Sequence, residues 1–217
     1  GFFRPLQFLK LNLSGFSHFH SAKIILLIIL AYFIISLLPI TDPDSLDYHL
    51  TVPNLSLING SFFIQKEWLT SQLSGAGEAI IILGLSINAF KFSSLLQFFA
   101  IFIIILSILS LRKGNKIFDA ESKILVCLAI LCIPSFLFLV FTAKPQLFSI
   151  CSNFLAFIIT FIFLPSENNR TRQLTMFSIV VFLCLSSTQF KFSFFLSSGI
   201  IISFAYIEMI KKKIYLK

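Results

Sequence analysis

The residues best suited to chemistry lie in one short stretch, Thr41 to Leu50, directly after the first apolar segment. This stretch, Thr-Asp-Pro-Asp-Ser-Leu-Asp-Tyr-His-Leu, holds three of the nine acidic residues of the chain. Asp42 and Pro43 predict a helix start, because an N-cap aspartate accepts backbone N–H bonds and proline fits the first helical position. Asp44 would then lie in the first turn, where the helix dipole stabilises an ionised carboxylate. Such a carboxylate is suited to abstracting a proton.

Two other interpretations fit the same residues. The three aspartates would serve only as helix caps and solvated loop residues, and spacing alone favours neither this nor the catalytic interpretation. The third interpretation is a binding site for a divalent cation, because Mn²⁺ and Mg²⁺ accept oxygen ligands together with an imidazole. Its ligands would be Asp42, Asp44, Asp47 and His49. Their spacing matches no strong metal motif, so we predict no resident metal or cofactor.

The composition indicates the class of protein that must position these residues. The chain is 57% hydrophobic and 12% charged, with a mean hydropathy of +0.96. A chain this apolar cannot hide its surface in one soluble core, so we predict an all-α, polytopic transmembrane helical bundle. The net charge of +8 does not indicate nucleic acid here, because the basic residues cluster at the ends of apolar segments, where membrane lipid headgroups supply the counter-charge.

Six apolar segments are long enough to cross the hydrocarbon core of about 30 Å. They cover residues 24–40, 92–111, 124–143, 147–164, 174–190 and 192–210. We expect residues 1–23 to form a cytoplasmic N-terminal segment and residues 24–217 to form the transmembrane domain. Residues 78–90 are too short to cross, so the outer loop of residues 41–91 is predicted to contain juxtamembrane helices.

The distribution of basic residues predicts the orientation. Only four of the 17 lysines and arginines fall on the side of the acidic stretch, and the positive-inside rule therefore places that stretch outside the cytoplasm. These four are Lys66, Lys91, Lys144 and Lys191. The last three each lie at the outer end of a predicted span, where converging ammonium groups would neutralise phosphate on a lipid carrier. The alternative is that each is a separate anchor whose charge reaches the headgroups.

The order of these features resembles the GT-C membrane glycosyltransferases, most closely the bacterial relatives of protein O-mannosyltransferases and the aminoarabinose transferases of lipid A. The likeness by residue covers Asp44 to Leu50, with Pro53 and Asn59-Gly60 beyond it, and Thr142 to Gln146 in a short outer loop. Asp44 would occupy the position of the catalytic aspartate. Ser45 stands where many relatives have a second acid, which leaves the choice between Asp44 and Asp47 open. Such enzymes have more spans and a soluble C-terminal domain, so we expect this chain to be an N-terminal fragment.

The resemblance implies transfer of a sugar, with inversion, from a polyprenyl phosphate donor to a glycan, lipid or protein acceptor outside the cytoplasm. Asp44 or Asp47 would take the proton of the acceptor hydroxyl. Tyr48 and His49 would orient the reacting groups. The departing phosphate would be stabilised by Lys91, Lys144 or Lys191. The resemblance also implies a bacterial inner membrane.

A transporter and a non-catalytic membrane assembly protein are the alternatives from other classes. Carriers commonly place charges and broken helices at mid-membrane. Here every charge except Glu208 lies at or outside the predicted span ends. Glu208 is close in sequence to Lys211 and Lys212, and an ion pair with them accounts for it.

Overall fold

The structure is a computed structural model that describes residues 16–61, 75–111 and 119–215. Within these ranges the chain forms helices and no strand. The predicted segment 1–23 is therefore described only from residue 16, and Lys66 lies outside the described residues. The α-helices are α1 Phe16–Ser36, α2 Thr51–Asn59, α3 Ala76–Ser86, α4 Phe92–Ser110, α5 Ala120–Leu131, α6 Pro134–Val140, α7 Gln146–Ile158, α8 Arg170–Phe190 and α9 Phe195–Tyr215. Ser45–Leu50 and Ile159–Phe163 are π-helical, and Leu164–Ser166 and Phe192–Phe194 are 3₁₀ turns.

Four helical stretches of the described chain are long and apolar enough to cross a membrane. They are Phe92–Ser110, Gln146–Ser166, Arg170–Phe190 and Phe192–Lys211. They match four of the six predicted spans, and they support the prediction of an all-α helical membrane protein. Helix α3 is apolar but shorter than these stretches.

The first predicted span ends earlier than expected. Helix α1 stops at Ser36 rather than at Ile40. Its last turn is closed by two backbone hydrogen bonds, from the N–H of Leu37 to the carbonyl of Ile34 and from the N–H of Leu38 to the carbonyl of Ile35. Pro39 explains the stop, because a proline disfavours helical geometry in the residue before it.

The predicted span 124–143 is a bent pair of helices. The direction of the chain bends by 63° between α5 and α6. Pro134 is the first residue of α6 and lacks the N–H that a continuous helix would need there. Pro134 therefore accounts for the bend in this segment.

Helix α4 lies at the centre of the packing. It contacts α1, α5, α6 and α7, and α7 in turn contacts α8, which contacts α9. Ile101 and Ile105 of α4 are fully buried in the first group of helices. Val180 of α8 and Ala205 of α9 are buried in the second group, which packs against α7. The helices thus form one continuous bundle.

Buried hydrogen bonds fix the helix ends that carry the polar residues. The side-chain carbonyl of Gln97 on α4 accepts from the backbone N–H of Leu147 at 2.8 Å. The hydroxyl of Ser94, also on α4, donates to the carbonyl of Ser36 at 2.8 Å. These bonds hold the ends of α1 and α7 against the start of α4. The turn between α6 and α7 is consequently held in place beside the Asp42–Leu50 stretch.

Candidate functional site

The acidic stretch begins a helix in the way its sequence predicts. The carboxylate of Asp42 accepts from the backbone N–H of Ser45 at 2.9 Å and from its hydroxyl at 2.8 Å. Pro43 is the first helical residue, as expected for the position after an N-cap. The helix continues as the π-helical turn Ser45–Leu50 and then as α2. Gly60 ends α2 with φ +63°, a left-handed conformation that glycine adopts without strain.

Lys144 bridges this helix start to the turn between α6 and α7. Its ammonium nitrogen lies 2.8 Å from Asp44 Oδ2 and 3.4 Å from Asp42 Oδ2. Burial lowers the pKa of Lys144, but the two carboxylates outweigh burial and raise it. Burial also raises the pKa of Asp42, and the hydrogen bonds from Ser45 and the charge of Lys144 bring it below its ordinary value. Lys144 and Asp42 are therefore ionised at neutral pH, and the contacts of Lys144 with Asp42 and Asp44 hold the two segments together.

A second contact between ionisable side chains joins the π-helical turn to α3. His49 Nδ1 lies 2.8 Å from Glu78 Oε1, and both side chains are almost fully buried. The other carboxylate oxygen of Glu78 accepts from the backbone N–H of Gly75 at 2.7 Å and so caps the start of α3. Burial raises the pKa of Glu78, but these hydrogen bonds outweigh it and lower the pKa. An ionised Glu78 requires His49 to donate from Nδ1.

The close approach of α3 depends on a glycine. A Cβ at Gly77 would lie 2.4 Å from Cγ of Pro145, which is too close for any real contact. Gly77 thus lets α3 pack directly on the turn that carries Lys144. This packing brings Glu78 within reach of His49.

A recess of about 670 Å³ opens beside the His49–Glu78 pair. Its polar wall includes Tyr48, His49, Glu78, Gln189 and Lys191. The remaining lining comes largely from facing parts of α8 and α9 and includes Leu185, Phe195, Gly199 and Ile202. Leu185 and Ile202 lie within α8 and α9, away from the α8–α9 turn. The recess therefore extends from a polar end near this turn into an apolar groove between two candidate spans.

The structure brings together only part of the predicted site. Tyr48, His49 and Lys191 line the recess, and Asp44 and Lys144 form an ion pair next to Pro145 at its edge. Asp47 is exposed and does not line the recess. The chemical roles assigned to these residues stay predictions.

Lys91 lies elsewhere. Its ammonium donates to the carbonyl of Leu38 at 2.6 Å, just beyond the end of α1, and it lines a separate cavity with Leu46 and Leu50. The three lysines line three different cavities: Lys191 lines the recess, Lys144 lines a second cavity with Phe138 and Gln146, and Lys91 lines a third. For Lys91 the physical reason is that its side chain satisfies a carbonyl just past a helix end, as a lysine anchor does.

The aspartates and His49, the residues of the metal hypothesis, contact different partners. Asp42 and Asp44 face Lys144, whereas His49 faces Glu78. Within residues 16–61, 75–111 and 119–215, no group of three or more histidines, cysteines and acids is placed to hold a metal ion.

Glu78 is the residue whose importance the sequence understates. Its position three residues after Gly75 indicates a helix cap, which the structure confirms. Its burial against His49 has no signal in the sequence, because the two residues are far apart along the chain. The packing of α3 against α2 and the π-helical turn brings them together.

Taken together, fold and site define an all-α membrane protein with a buried His49–Glu78 contact, an ion pair between Lys144 and Asp44, and a polar-to-apolar recess at one end of its bundle. Within that class, the chain belongs to the family described as the DUF1420 N-terminal domain, which matches residues 3–217. No curated protein and no solved structure matches it significantly.

Proposed function

We propose that this chain is the membrane domain of a glycosyltransferase that moves a sugar from a polyprenyl-phosphate-linked donor to an acceptor on the extracytoplasmic side. The observation that carries the proposal is the recess, which joins ionic groups at one end to an apolar groove between α8 and α9. A lipid-linked sugar has the matching form, with a polar head and a long apolar tail. A site of this kind takes its substrate from within the membrane.

The charged residues suggest which group binds the donor phosphate. Lys144 is already paired with Asp42 and Asp44, so its charge is compensated within the protein. Lys191 lines the recess at the turn between α8 and α9, beside the apolar groove. We therefore assign phosphate binding to Lys191, whose ammonium would stabilise the charge that develops on the departing phosphate.

The distribution of basic residues supports an extracytoplasmic site, and we propose that the membrane is a bacterial inner membrane. Helix α8 runs from Arg170 and Arg172 to the turn that carries Lys191, so these arginines lie at the end opposite the recess. Lys123, near the start of α5, is in the other basic cluster of the sequence. With the more basic end in the cytoplasm, the recess faces outward.

The direct test is sugar transfer in reconstituted vesicles. The full protein containing this chain would be given radiolabelled polyprenyl-phosphate hexoses and aminoarabinose, with membrane lipid and glycan acceptors. We expect transfer from at least one donor, and a loss of about tenfold or more in kcat/KM for Lys191→Gln, because one charge-assisted hydrogen bond to phosphate is removed. The matched control is Lys211→Gln, which removes a lysine bound to Glu208 on α9. Absence of transfer from every donor would refute the proposal.

One observation favours a transporter as the second candidate. The bent pair α5–α6 is a broken helix of the sort that carriers use. The break itself, however, lies at Cys132 and Ile133, which bring no charge to it. Solute flux across the same vesicles, without formation of a glycosidic bond, would favour the transporter.

A further inference from the structure

His49 has one ring nitrogen without a partner. Its Nδ1 is bound to Glu78, but Nε2 has no hydrogen-bond partner although the side chain is only 3% exposed. Leaving a buried polar atom unpaired costs about 1–3 kcal/mol. The same side chain lines the recess. A ligand group that reaches Nε2 from the recess would give this atom its missing partner.

The contact with Glu78 determines what Nε2 can do. Because the pKa of Glu78 is lowered, its carboxylate is ionised at neutral pH and accepts the Nδ1 hydrogen. In a neutral imidazole the other nitrogen then carries a lone pair. Nε2 is thus an acceptor for a proton or a hydrogen bond, and Glu78 stabilises the imidazolium that forms when a proton arrives.

Four ionisable groups of the described chain face His49 or share its recess. Glu78 comes from α3, Lys191 from the α8–α9 turn and Cys184 from α8, and the ring of Tyr48 lies 3.8 Å from the imidazole between centroids. Burial, with the charges of Asp44 and Glu78, raises the pKa of Tyr48 to about 12, so its phenol stays neutral. Lys191 disfavours a second positive charge nearby, whereas Glu78, in direct contact, favours it.

We propose that His49 Nε2, rather than Asp44, takes the proton of the acceptor alcohol, with Glu78 as the positioning residue. This inference rests on the proposed sugar transfer. The acceptor O–H bond breaks and its proton goes to Nε2, while the acceptor oxygen forms a bond to the anomeric carbon. The bond from that carbon to the phosphate oxygen breaks, and its electron pair leaves with the polyprenyl phosphate beside Lys191.

Position distinguishes the two candidate bases. Asp44 is bound by Lys144, its side chain is 52% exposed, and it does not line the recess. His49 lines the recess together with Lys191, so one bound donor would lie within reach of both.

The test compares variants of the full protein in the vesicle assay, with the pH profile of kcat as the main measurement. We expect His49→Gln to lower kcat about 10²- to 10⁴-fold, which is the usual contribution of a general base. Glu78→Gln should lower kcat and move the acid limb of the profile to lower pH, because the anion that stabilises the imidazolium is gone. Glu208→Gln is the matched control, since it makes the same change on α9.

A rescue experiment separates chemistry from structure. His49→Gly leaves space for free imidazole, which should restore part of kcat in proportion to its concentration if His49 transfers a proton. Thermal unfolding and yield in membranes show whether each variant folds. One result would overturn the assignment to His49: the wild type transfers sugar, kcat of His49→Gln is within threefold of the wild-type value, and Asp44→Asn is inactive. The proposal that the protein is a glycosyltransferase would still hold. Failure of rescue by imidazole in a folded, inactive His49→Gly would also overturn it. No transfer by the wild type would overturn both proposals.

Discussion

The hydroxyl of Ser45 accepts a hydrogen bond from the backbone N–H of Ala143 at 3.1 Å, and it donates at the same time to Asp42 at 2.8 Å. One buried hydroxyl therefore links the N-cap of the acidic stretch to the turn between α6 and α7. Lys144, the next residue in that turn, adds its ion pairs with Asp42 and Asp44. The acidic stretch is held by several groups that act as a unit.

Ser45→Ala should destabilise the protein by about 1–3 kcal/mol, because the N–H of Ala143 would stay buried without an acceptor. Thermal unfolding in detergent measures the effect. Ser86→Ala is the control, since that hydroxyl is exposed and bonds only within its own helix. Equal melting temperatures for Ser45→Ala and the wild type would show that the Ser45–Ala143 bond does not stabilise this contact.

Local features of the acidic stretch could be predicted from its sequence, whereas its partners could not. Asp42, Pro43 and Gly60 occupy the cap positions that their residue types favour. No pattern of residue types indicates the π-helical turn, although this turn sets the direction of His49. Lys91 and Lys144 look equivalent in sequence, since both stand at a span end, yet one binds a backbone carbonyl and the other two carboxylates. The packing of the helices, and not the local sequence, determines which groups each lysine contacts.

Gly77→Ala should disturb the site without touching an ionisable group. The added methyl would overlap Pro145, and overpacking of this kind costs about 1–3 kcal/mol. We expect a lower melting temperature and a weakened His49–Glu78 contact, because α3 must move away from the α6–α7 turn. Gly199→Ala is the matched control, since a Cβ there meets nothing within 4 Å. If the two variants unfold at the same temperature, close packing of α3 on Pro145 is not needed for stability.

The free energy of unfolding should fall on acidification because of Glu78 and Asp42. Their pKa values are lowered in the folded protein from the ordinary values of 4.5 and 3.8. As the pH falls, the unfolded chain therefore binds protons before the folded chain does. The stabilisation by these two carboxylates is present above their ordinary pKa values, and it is lost as the pH falls through their pKa values in the folded protein. Melting temperatures between about pH 7 and about pH 3 measure it. Glu78→Gln should flatten this dependence, and Glu208→Gln should leave it as in the wild type.

Cysteine labelling tests the predicted orientation and the non-crossing α3 together. Asp47→Cys lies in the acidic stretch, and Asn168→Cys lies in the turn before α8. Three candidate membrane-crossing segments separate them along the chain: α4, the bent pair α5–α6, and the stretch from α7 to Ser166. If these three cross and α3 does not, the two cysteines lie on opposite sides of the membrane. A membrane-impermeant maleimide added to spheroplasts should then label only Asp47→Cys, and lysis should expose Asn168→Cys. The background would be Cys132→Ser, because Cys132 is an exposed thiol. Labelling of both positions from outside would mean that an even number of segments crosses between them, and the bent pair or α3 would then be assigned wrongly.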